Sequence, residues 1–266
     1  MRGGGISSAL GRIAMAMLFA APLVLVAAGA FQPVGQPPPT GFEALSPPWS
    51  LEAFARVRDL IPLGRMTANS TLVAAVSVPV GVLVAAWTGF AIARLPARAG
   101  AFLAVIVLVT ALIPVTALVV GRVTIFRLLG VTASPLPLMA SALLGVSPLF
   151  VLVFAWSYKR LPATLFDLAA EVGLTPLAAW WRIAVPLTRG TTVAVGMLAL
   201  IVVWGDFIGP LLMVSDSAWY TLPAGLGVLS GLDGPRQPIM LAAALLAMIP
   251  VGIALLVLAR RPRGHA

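Results

Sequence analysis

The sequence predicts an all-α, polytopic membrane protein. Of its 266 residues, 61% are hydrophobic and only 9% are charged, whereas a soluble domain carries about 25% charged residues. Six segments are apolar enough, and at roughly 20 residues long enough, to cross the hydrocarbon of a bilayer. These segments are Ile13–Phe31, Leu72–Ala93, Ala101–Val120, Leu136–Trp156, Thr191–Val214 and Met240–Ala259.

The basic residues predict the orientation of these spans. An even number of spans puts both termini on one side, and 11 of the 17 basic residues fall there. They are Arg2, Arg12, Arg94, Arg98, Lys159, Arg160, Arg182, Arg189, Arg260, Arg261 and Arg263. The other six are Arg56, Arg58, Arg65, Arg122, Arg127 and Arg236. The positive-inside rule therefore predicts cytoplasmic termini, and it explains the net charge of +9 without a nucleic-acid partner.

This topology divides the chain into a cytoplasmic tail (1–12), a first helix (13–31), an extracytoplasmic loop (32–71), a membrane core (72–259) and a second tail (260–266). The core contains a cytoplasmic loop, 157–190. The alternative for the first helix is a cleaved signal peptide, because basic residues precede it and Ala28-Gly29-Ala30 resembles a cleavage site. Its length favours a retained span. Within the outer loop, Ser50 to Leu60 is expected to form a short helix with Ser50 as N-cap.

Each predicted span contains a proline in its interior: Pro22, Pro79, Pro114, Pro148, Pro210 and Pro250. Proline frees a backbone carbonyl and bends a helix, which suits a transport path with moving parts. Membrane helices also tolerate proline in general, because their neighbours satisfy the freed groups. No single proline therefore indicates function.

A patterned, partly charged stretch, LFDLAAEVGLTPLAAWWRIAVPL, lies in the cytoplasmic loop. Pro162 suits the first position of a helix, Gly173 suits a left-handed C-terminal cap, and Thr175-Pro176 suits a new helix start. Pro186 is expected to end or kink the second helix. The spacing predicts one apolar face made by Leu161, Leu165, Leu168 and Val172, and a second made by Leu177, Trp180, Trp181 and Ala184.

The predicted helix–corner–helix could rest in the lipid interface or dock on a protein. Two tryptophans suit an interface. A lipid-binding helix should, however, carry a basic polar face, whereas the first helix carries Asp167 and Glu171. The acidic face favours a partner with positive charge.

Several chemistries are not supported by the residues present. The chain has no Cys and only one His, His265, so a disulfide, a Cys- or His-ligated metal and a His-based catalytic site are not expected. A Walker A loop needs Gly-Lys followed by Ser or Thr. The single lysine, Lys159, stands between Tyr158 and Arg160, so energy from ATP would have to come from another subunit.

The stretch DLAAEVGLTPLAAWWRIAVPL resembles the EAA motif of ABC importer permeases. The positions that match the motif are Asp167, Leu168, Ala169, Gly173, Ile183, Val185 and Pro186, with Asp for Glu, Leu for Ala and Val for Leu. Val172 stands where Asp is usual. Other short sequences resemble maltose-type sugar permeases across residues 65–260: Asn69-Ser70, Ala91-Ile92-Ala93-Arg94, Ile113-Pro114, Leu161-Pro162, Trp204-Gly205-Asp206-Phe207, Thr221-Leu222-Pro223 with Gly225-Leu226, and Ile249-Pro250.

The resemblance implies a type I ABC importer permease fold and a non-catalytic subunit of a bacterial-type plasma (inner) membrane transporter. The implied partners are a second permease, two copies of a cytoplasmic ATPase that binds the ATP, and an extracytoplasmic solute-binding protein. The implied ATPase-coupling residues are Asp167, Leu168, Ala169, Glu171, Gly173, Ile183 and Pro186. A sugar or oligosaccharide is the expected substrate; a polyamine, phosphate or other small solute is the alternative. The short tail after Arg260 leaves a tail-to-ATPase contact open.

Asp206 is the one acidic residue within a predicted span. Acids are costly in lipid and usually face a cavity or a partner, so Asp206 and its neighbour Trp204 are candidates for the translocation pathway. The alternatives are a structural hydrogen bond for Asp206 and packing or interface anchoring for Trp204. A single intramembrane acid argues against an ion-coupled carrier, and the lack of paired acids argues against a membrane enzyme.

Overall fold

The computed structural model describes residues 4–35, 46–144, 147–231 and 236–259, and the regular structure in these ranges is helical throughout. The α-helices are α1 (Gly4–Ala30), α2 (Glu52–Leu60), α3 (Leu63–Arg94), α4 (Ala97–Ala111), α5 (Val115–Leu128), α6 (Leu136–Leu144), α7 (Pro148–Lys159), α8 (Ala163–Glu171), α9 (Pro176–Ala179), α10 (Val185–Leu187), α11 (Arg189–Trp204), α12 (Ile208–Met213), α13 (Leu222–Leu229) and α14 (Gln237–Ala259). A π-helical turn, Trp180–Ala184, joins α9 to α10, and a 3₁₀ turn, Ser217–Trp219, precedes α13.

Three of the described helices are long and apolar enough to cross a membrane by themselves: α1, α3 and α14. Two further stretches qualify only as bent pairs. One joins α7 to α8 through a bend of 78°, and the other joins Pro176–Leu187 to α11 through a bend of 84°. Length and composition therefore give three to five spans in the described residues, and the count of six stays a prediction.

The other three predicted spans are each divided between two helices. Pro114 separates α4 from α5, and Pro148 begins α7 after the end of α6. Both prolines stand at helix starts, where a missing N–H leaves no internal hydrogen bond unmade. The third division falls after α11, where Asp206 lies in the segment before α12. By contrast, Pro22, Pro79 and Pro250 remain inside continuous helices.

The described chain divides into two compact units, and the first combines residues 1–65 with 225–250. Here the Phe31 and Phe54 rings lie 5.0 Å apart, and the Ser50 N–H donates to the Phe31 carbonyl oxygen at 2.7 Å. The predicted short helix is confirmed as α2. The prediction of Ser50 as N-cap is wrong by one residue, because Leu51 flanks the helix. The Ser50 hydroxyl nevertheless accepts the Glu52 N–H at 3.1 Å.

The second unit, residues 66–224 with 251–266, contains a core built where α3, α7, α8 and the π-helical turn meet. Within this core, α3 passes close to α7 at Gly89. A Cβ atom on Gly89 would lie 2.6 Å from the Cβ of Phe154 and 2.8 Å from the backbone nitrogen of Ala155. Only glycine lets the two helices pack at this distance.

Two buried polar residues near the start of α3 hold the segment that leads into α13. The Asn69 side-chain amide donates to the carbonyl oxygens of Ala218 and Tyr220 at 2.8 and 3.0 Å. The Ser70 hydroxyl accepts the Leu222 N–H at 2.8 Å. Backbone groups that no helix would satisfy are thereby paired, and the irregular segment is fixed to α3.

Some sequence predictions lie outside the described residues. These are the basic residue Arg2, the proline-rich part of the outer loop at 36–45, and the tail at 260–266.

We expect Gly89→Ala to destabilise the second unit, because the added methyl group would force α3 and α7 apart. Overpacking of this kind costs about 1–3 kcal/mol. The matched control is Gly81→Ala on the same helix, where a Cβ atom meets nothing within 4 Å. Thermal unfolding of the purified chain in detergent should show a lower midpoint for Gly89→Ala only. Equal midpoints for the two variants would contradict the close approach.

Candidate functional site

The predicted corner at Gly173 is present, and its geometry is that of a Schellman motif. Gly173 has φ +77°, in the left-handed region. Its N–H donates to the Ala170 carbonyl oxygen at 3.0 Å, and the Leu174 N–H donates to that of Ala169 at 2.9 Å. These two bonds satisfy carbonyls at the end of α8 and turn the chain toward α9. The local sequence therefore determines the corner.

The second helix begins as its sequence predicts. The Thr175 hydroxyl accepts the Ala178 N–H at 3.3 Å, and Pro176 occupies the first helical position. The helix then widens into the π-helical turn, in which the Val185 N–H reaches back to the Trp180 carbonyl. Pro186 follows without an N–H to donate, and the helix ends at Leu187 before the 84° bend into α11. The expected effect of Pro186 on the helix agrees with this course.

Aromatic side chains fasten the two loop helices to the rest of the unit. Phe166 of α8 lies 5.6 Å from Phe90 of α3, measured between ring centroids, and Phe90 lies edge-on to Tyr158 of α7 at 5.6 Å. The Trp180 indole N–H donates to the Tyr158 hydroxyl at 3.1 Å in a buried site. Ala169 and Ala184 are also buried in this cluster. The loop is therefore packed on α3 and α7 rather than suspended from its ends.

The predicted apolar faces of the two helices are partly wrong. On α8 the buried residues are Phe166 and Ala169, while Leu168 is 58% exposed and Val172 is 76% exposed. On the second helix Trp180 and Ala184 are buried as predicted, but Leu177 and Trp181 are exposed. The buried face of α8 differs from the predicted one because the Phe166 ring packs against the aromatic side chains of α3 and α7.

The exposed surface of the loop combines acidic and apolar side chains. Asp167 and Glu171 are exposed at successive turns of α8, beside Leu168 and Val172. Among the described residues, the ion pair present is Arg56–Glu52, which lies in the other unit. The carboxylates of α8 thus remain available to an external cation, and exposed apolar residues beside them are typical of an interaction surface.

Ile183 and Pro186, the other two predicted coupling residues, belong to the second helix and not to this surface of α8. Ile183 is half-buried and packs against the aromatic core, and Pro186 is exposed near the bend. Both contribute to the course of the second helix.

Asp206 is exposed in the chain, and one of its carboxylate oxygens accepts the Gly209 N–H at 2.9 Å. This bond joins the two sides of the break between α11 and α12. A Cβ atom on Gly209 would collide with the Asp206 carboxylate in its present position, so a larger residue there would displace that side chain. Trp204 is half-buried at the end of α11. The structure thus adds a local bonding role for Asp206 to the predicted pathway role, which stays a prediction.

Sequence reasoning missed the residues that receive the loop. The sequence pattern does not mark Tyr158, Phe90 or Phe166 as residues that contact one another. Arg94 stacks over Phe166, with its guanidinium carbon 4.2 Å from the ring centroid. The sequence had indicated only a topology-setting charge and part of a family resemblance at this position. The available signal was weak: aromatic residues near the ends of apolar segments are common in membrane proteins.

Within the described residues, no group of three or more His, Cys, Asp or Glu side chains is arranged to hold a metal ion.

The comparisons with known proteins agree with the predicted resemblance. No protein-family model matches the chain. It is 26% identical over 200 residues to the sulfoquinovosyl glycerol transport system permease protein SmoH of Agrobacterium fabrum, covering 75% of this chain and 70% of that protein. It is 29% identical over 208 residues to the sn-glycerol-3-phosphate transport system permease protein UgpE of Pectobacterium atrosepticum, covering 75% and 71%.

Among solved structures, the chain matches one from a bacterial ABC transporter involved in the import of the acidic polysaccharide alginate. The TM-score is 0.73 at 16% identity, over 97% of this chain and 95% of that chain. The fold class is therefore that of an ABC transporter permease. Both relatives are named as transport system permease proteins, which confirms the resemblance to importer permeases predicted from the sequence.

We expect the Asp206 variants to separate its two roles. Asp206→Asn keeps a side-chain oxygen for the Gly209 N–H and removes the charge, whereas Asp206→Ala removes both. If the charge serves the transport path, both variants should reach the membrane at normal levels and both should lose uptake. Radiolabelled-solute uptake, normalised to the amount of membrane protein, checks this. Uptake restored by Asn alone would assign Asp206 to the local hydrogen bond instead.

Proposed function

We propose that this chain is the transmembrane permease subunit of an ABC importer and forms half of a translocation pathway for a sugar or oligosaccharide. The observation that carries the proposal is the packed helix–corner–helix of residues 163–187, with its exposed acidic and apolar surface, on a permease fold. The termini and this loop would face the cytoplasm of a bacterial-type cell, where a separate ATPase binds ATP.

The energy of ATP would reach the permease through the loop. Leu168 and Val172 would enter a groove on the ATPase, and Asp167 and Glu171 would face its basic residues. Closure of the ATPase dimer would displace α8 and the second helix. Since Phe166 and Trp180 pack against Phe90 and Tyr158, that displacement would be transmitted to α3 and α7.

Substrate and partners are proposed from the relatives. SmoH and the arabinooligosaccharides permease AraQ of Halalkalibacterium halodurans, 26% identical over 70% of this chain, are named for sugar compounds. UgpE is named for sn-glycerol 3-phosphate, so a small phosphate ester is the second candidate. A related alginate transporter is solved in complex with a pentasaccharide-bound periplasmic protein, with a TM-score of 0.64 at 14% identity. This supports delivery of substrate to the chain by a binding protein. Pairing with a second permease is proposed from the sequence resemblance alone.

The proposal is tested by purification from membranes and by uptake. The tagged chain should co-purify with an ABC ATPase and a second permease. Proteoliposomes that contain this complex should import solute only when ATP is on the side of the membrane that carries the ATPase and the binding protein is on the opposite side. Solutes from the two classes, an oligosaccharide and a glycerol phosphate ester, should be compared. Uptake driven by a proton or sodium gradient in the absence of ATP would overturn the proposal.

We expect Gly173→Val to abolish coupling while the protein remains in the membrane. A Cβ atom there meets nothing within 4 Å, so the effect comes from the backbone alone, and a left-handed conformation costs a non-glycine residue about 1–2 kcal/mol. The corner should relax and misplace the exposed surface of α8. Transport per ATP hydrolysed, measured in proteoliposomes, should fall to near background.

Two controls accompany this variant. Gly173→Asn, which tolerates the left-handed region, should retain coupling. Gly130→Val carries the same strain at φ +68°, also with no atom within 4 Å of a Cβ, but at the end of α5. It should lower stability to a similar extent without uncoupling. Normal transport by well-expressed Gly173→Val would show that the corner is dispensable.

A further inference from the structure

A cavity of about 300 Å³ lies between the end of α3 and the loop helices. It is lined on one side by a single face of α3, at positions i, i+3, i+4 and i+7, and on the other by α8, the corner and α9. The lining residues are Trp87, Phe90, Ala91, Arg94, Phe166, Ala170, Leu174, Pro176 and Ala179. All belong to the second unit. The volume is at the lower end of ligand pockets, which span about 300–1,000 Å³.

The walls of the cavity are apolar and aromatic. The Trp87 ring lies 5.0 Å from Trp180 in an edge-on arrangement and 6.0 Å from Phe90, both between centroids. These contacts hold the Trp87 ring in place although the residue is 38% exposed. A preformed apolar wall that opens beside a membrane-spanning helix suits a hydrocarbon chain rather than a polar solute.

Arg94 supplies the single charge among the lining residues. It is the last residue of α3 and is exposed, and it stacks on Phe166. No carboxylate lines the cavity, and no ion pair to Arg94 occurs among the described residues. Stacking on an aromatic ring leaves the N–H donors at the guanidinium edge free to bind an anion, and arginine binds phosphate in a bidentate manner.

We propose that this cavity binds one anionic phospholipid of the phosphatidylglycerol type, with the phosphate on Arg94 and an acyl chain against Trp87, Phe90 and Phe166. Because Arg94 ends a helix long and apolar enough to span the bilayer, a membrane-spanning α3 would place it at headgroup level. Basic pockets between membrane helices are a general mode of binding anionic headgroups. The inference rests on the proposed membrane placement of α3 and not on coupling to an ATPase.

Binding at this position would act on the loop. Ala170, Leu174 and Pro176 border the cavity on both sides of Gly173, so an acyl chain there would contact both helices that the corner joins. The lipid would therefore stiffen the corner, and transport activity would depend on the anionic lipid content of the membrane.

The test measures lipid retention by native mass spectrometry on the delipidated full chain in detergent, supplied with phosphatidylglycerol or phosphatidylcholine. We expect one phosphatidylglycerol to be retained in preference. Arg94→Gln should weaken its binding about tenfold or more, since hydrogen bonds to charged groups contribute about 1.5–3 kcal/mol. The matched control is Arg98→Gln, which removes an exposed arginine in the first turn of α4 that does not line the cavity.

A second variant, Ala170→Leu, keeps Arg94 and fills the cavity, and it should also lose the retained lipid. Unchanged thermal midpoints would show that each variant is folded. Arg94→Lys, which keeps the positive charge but not the bidentate geometry, should retain part of the preference for phosphatidylglycerol. Inorganic phosphate at millimolar concentration should fail to displace the lipid. Equal retention by Arg94→Gln and Arg98→Gln, equal retention of the two lipids, full retention by Ala170→Leu, or displacement by phosphate would each overturn the proposal. None of these outcomes requires an ATPase, so failure here is distinguishable from failure of the proposed function.

Discussion

The packing of Phe90 is the interaction on which the described architecture of the second unit depends. Its ring contacts Tyr158 of α7, Phe166 of α8 and Trp87 of its own helix. Through these contacts one side chain of α3 brings together two membrane-core helices and the loop. Gly89, its neighbour, makes the approach possible by leaving room for Phe154 and Ala155. Aromatic pairs contribute about 0.5–1.5 kcal/mol each beyond the area they bury.

The two faces of the loop differ, because one is packed on the rest of the unit and the other is exposed. The inner face, with Phe166 and Trp180, is held by rings and by the hydrogen bond to Tyr158. The outer face carries Asp167 and Leu168 into solvent. Because packed cores transmit displacement instead of absorbing it, a force on the outer face has a short path to α3 and α7.

Breaks in the helices are the second theme of the structure. Pro22, Pro79 and Pro250 lie inside continuous helices, whereas Pro114 and Pro148 lie at the starts of α5 and α7. The break after α11 is held by the Asp206 carboxylate on the Gly209 N–H. Non-helical backbone at membrane depth is tolerated where it is buried in protein or lines a cavity.

The sequence by itself determined the all-α membrane class, the corner at Gly173 and the start of the second helix at Thr175. These features follow from composition and from local backbone preference, which need no knowledge of neighbours. Only the tertiary structure decided that Phe166 and not Leu168 faces the core, that Asn69 holds the segment before α13, and that Arg94 borders a cavity. Burial depends on which distant surface a helix meets, and helical spacing alone leaves several apolar faces of α8 equally acceptable.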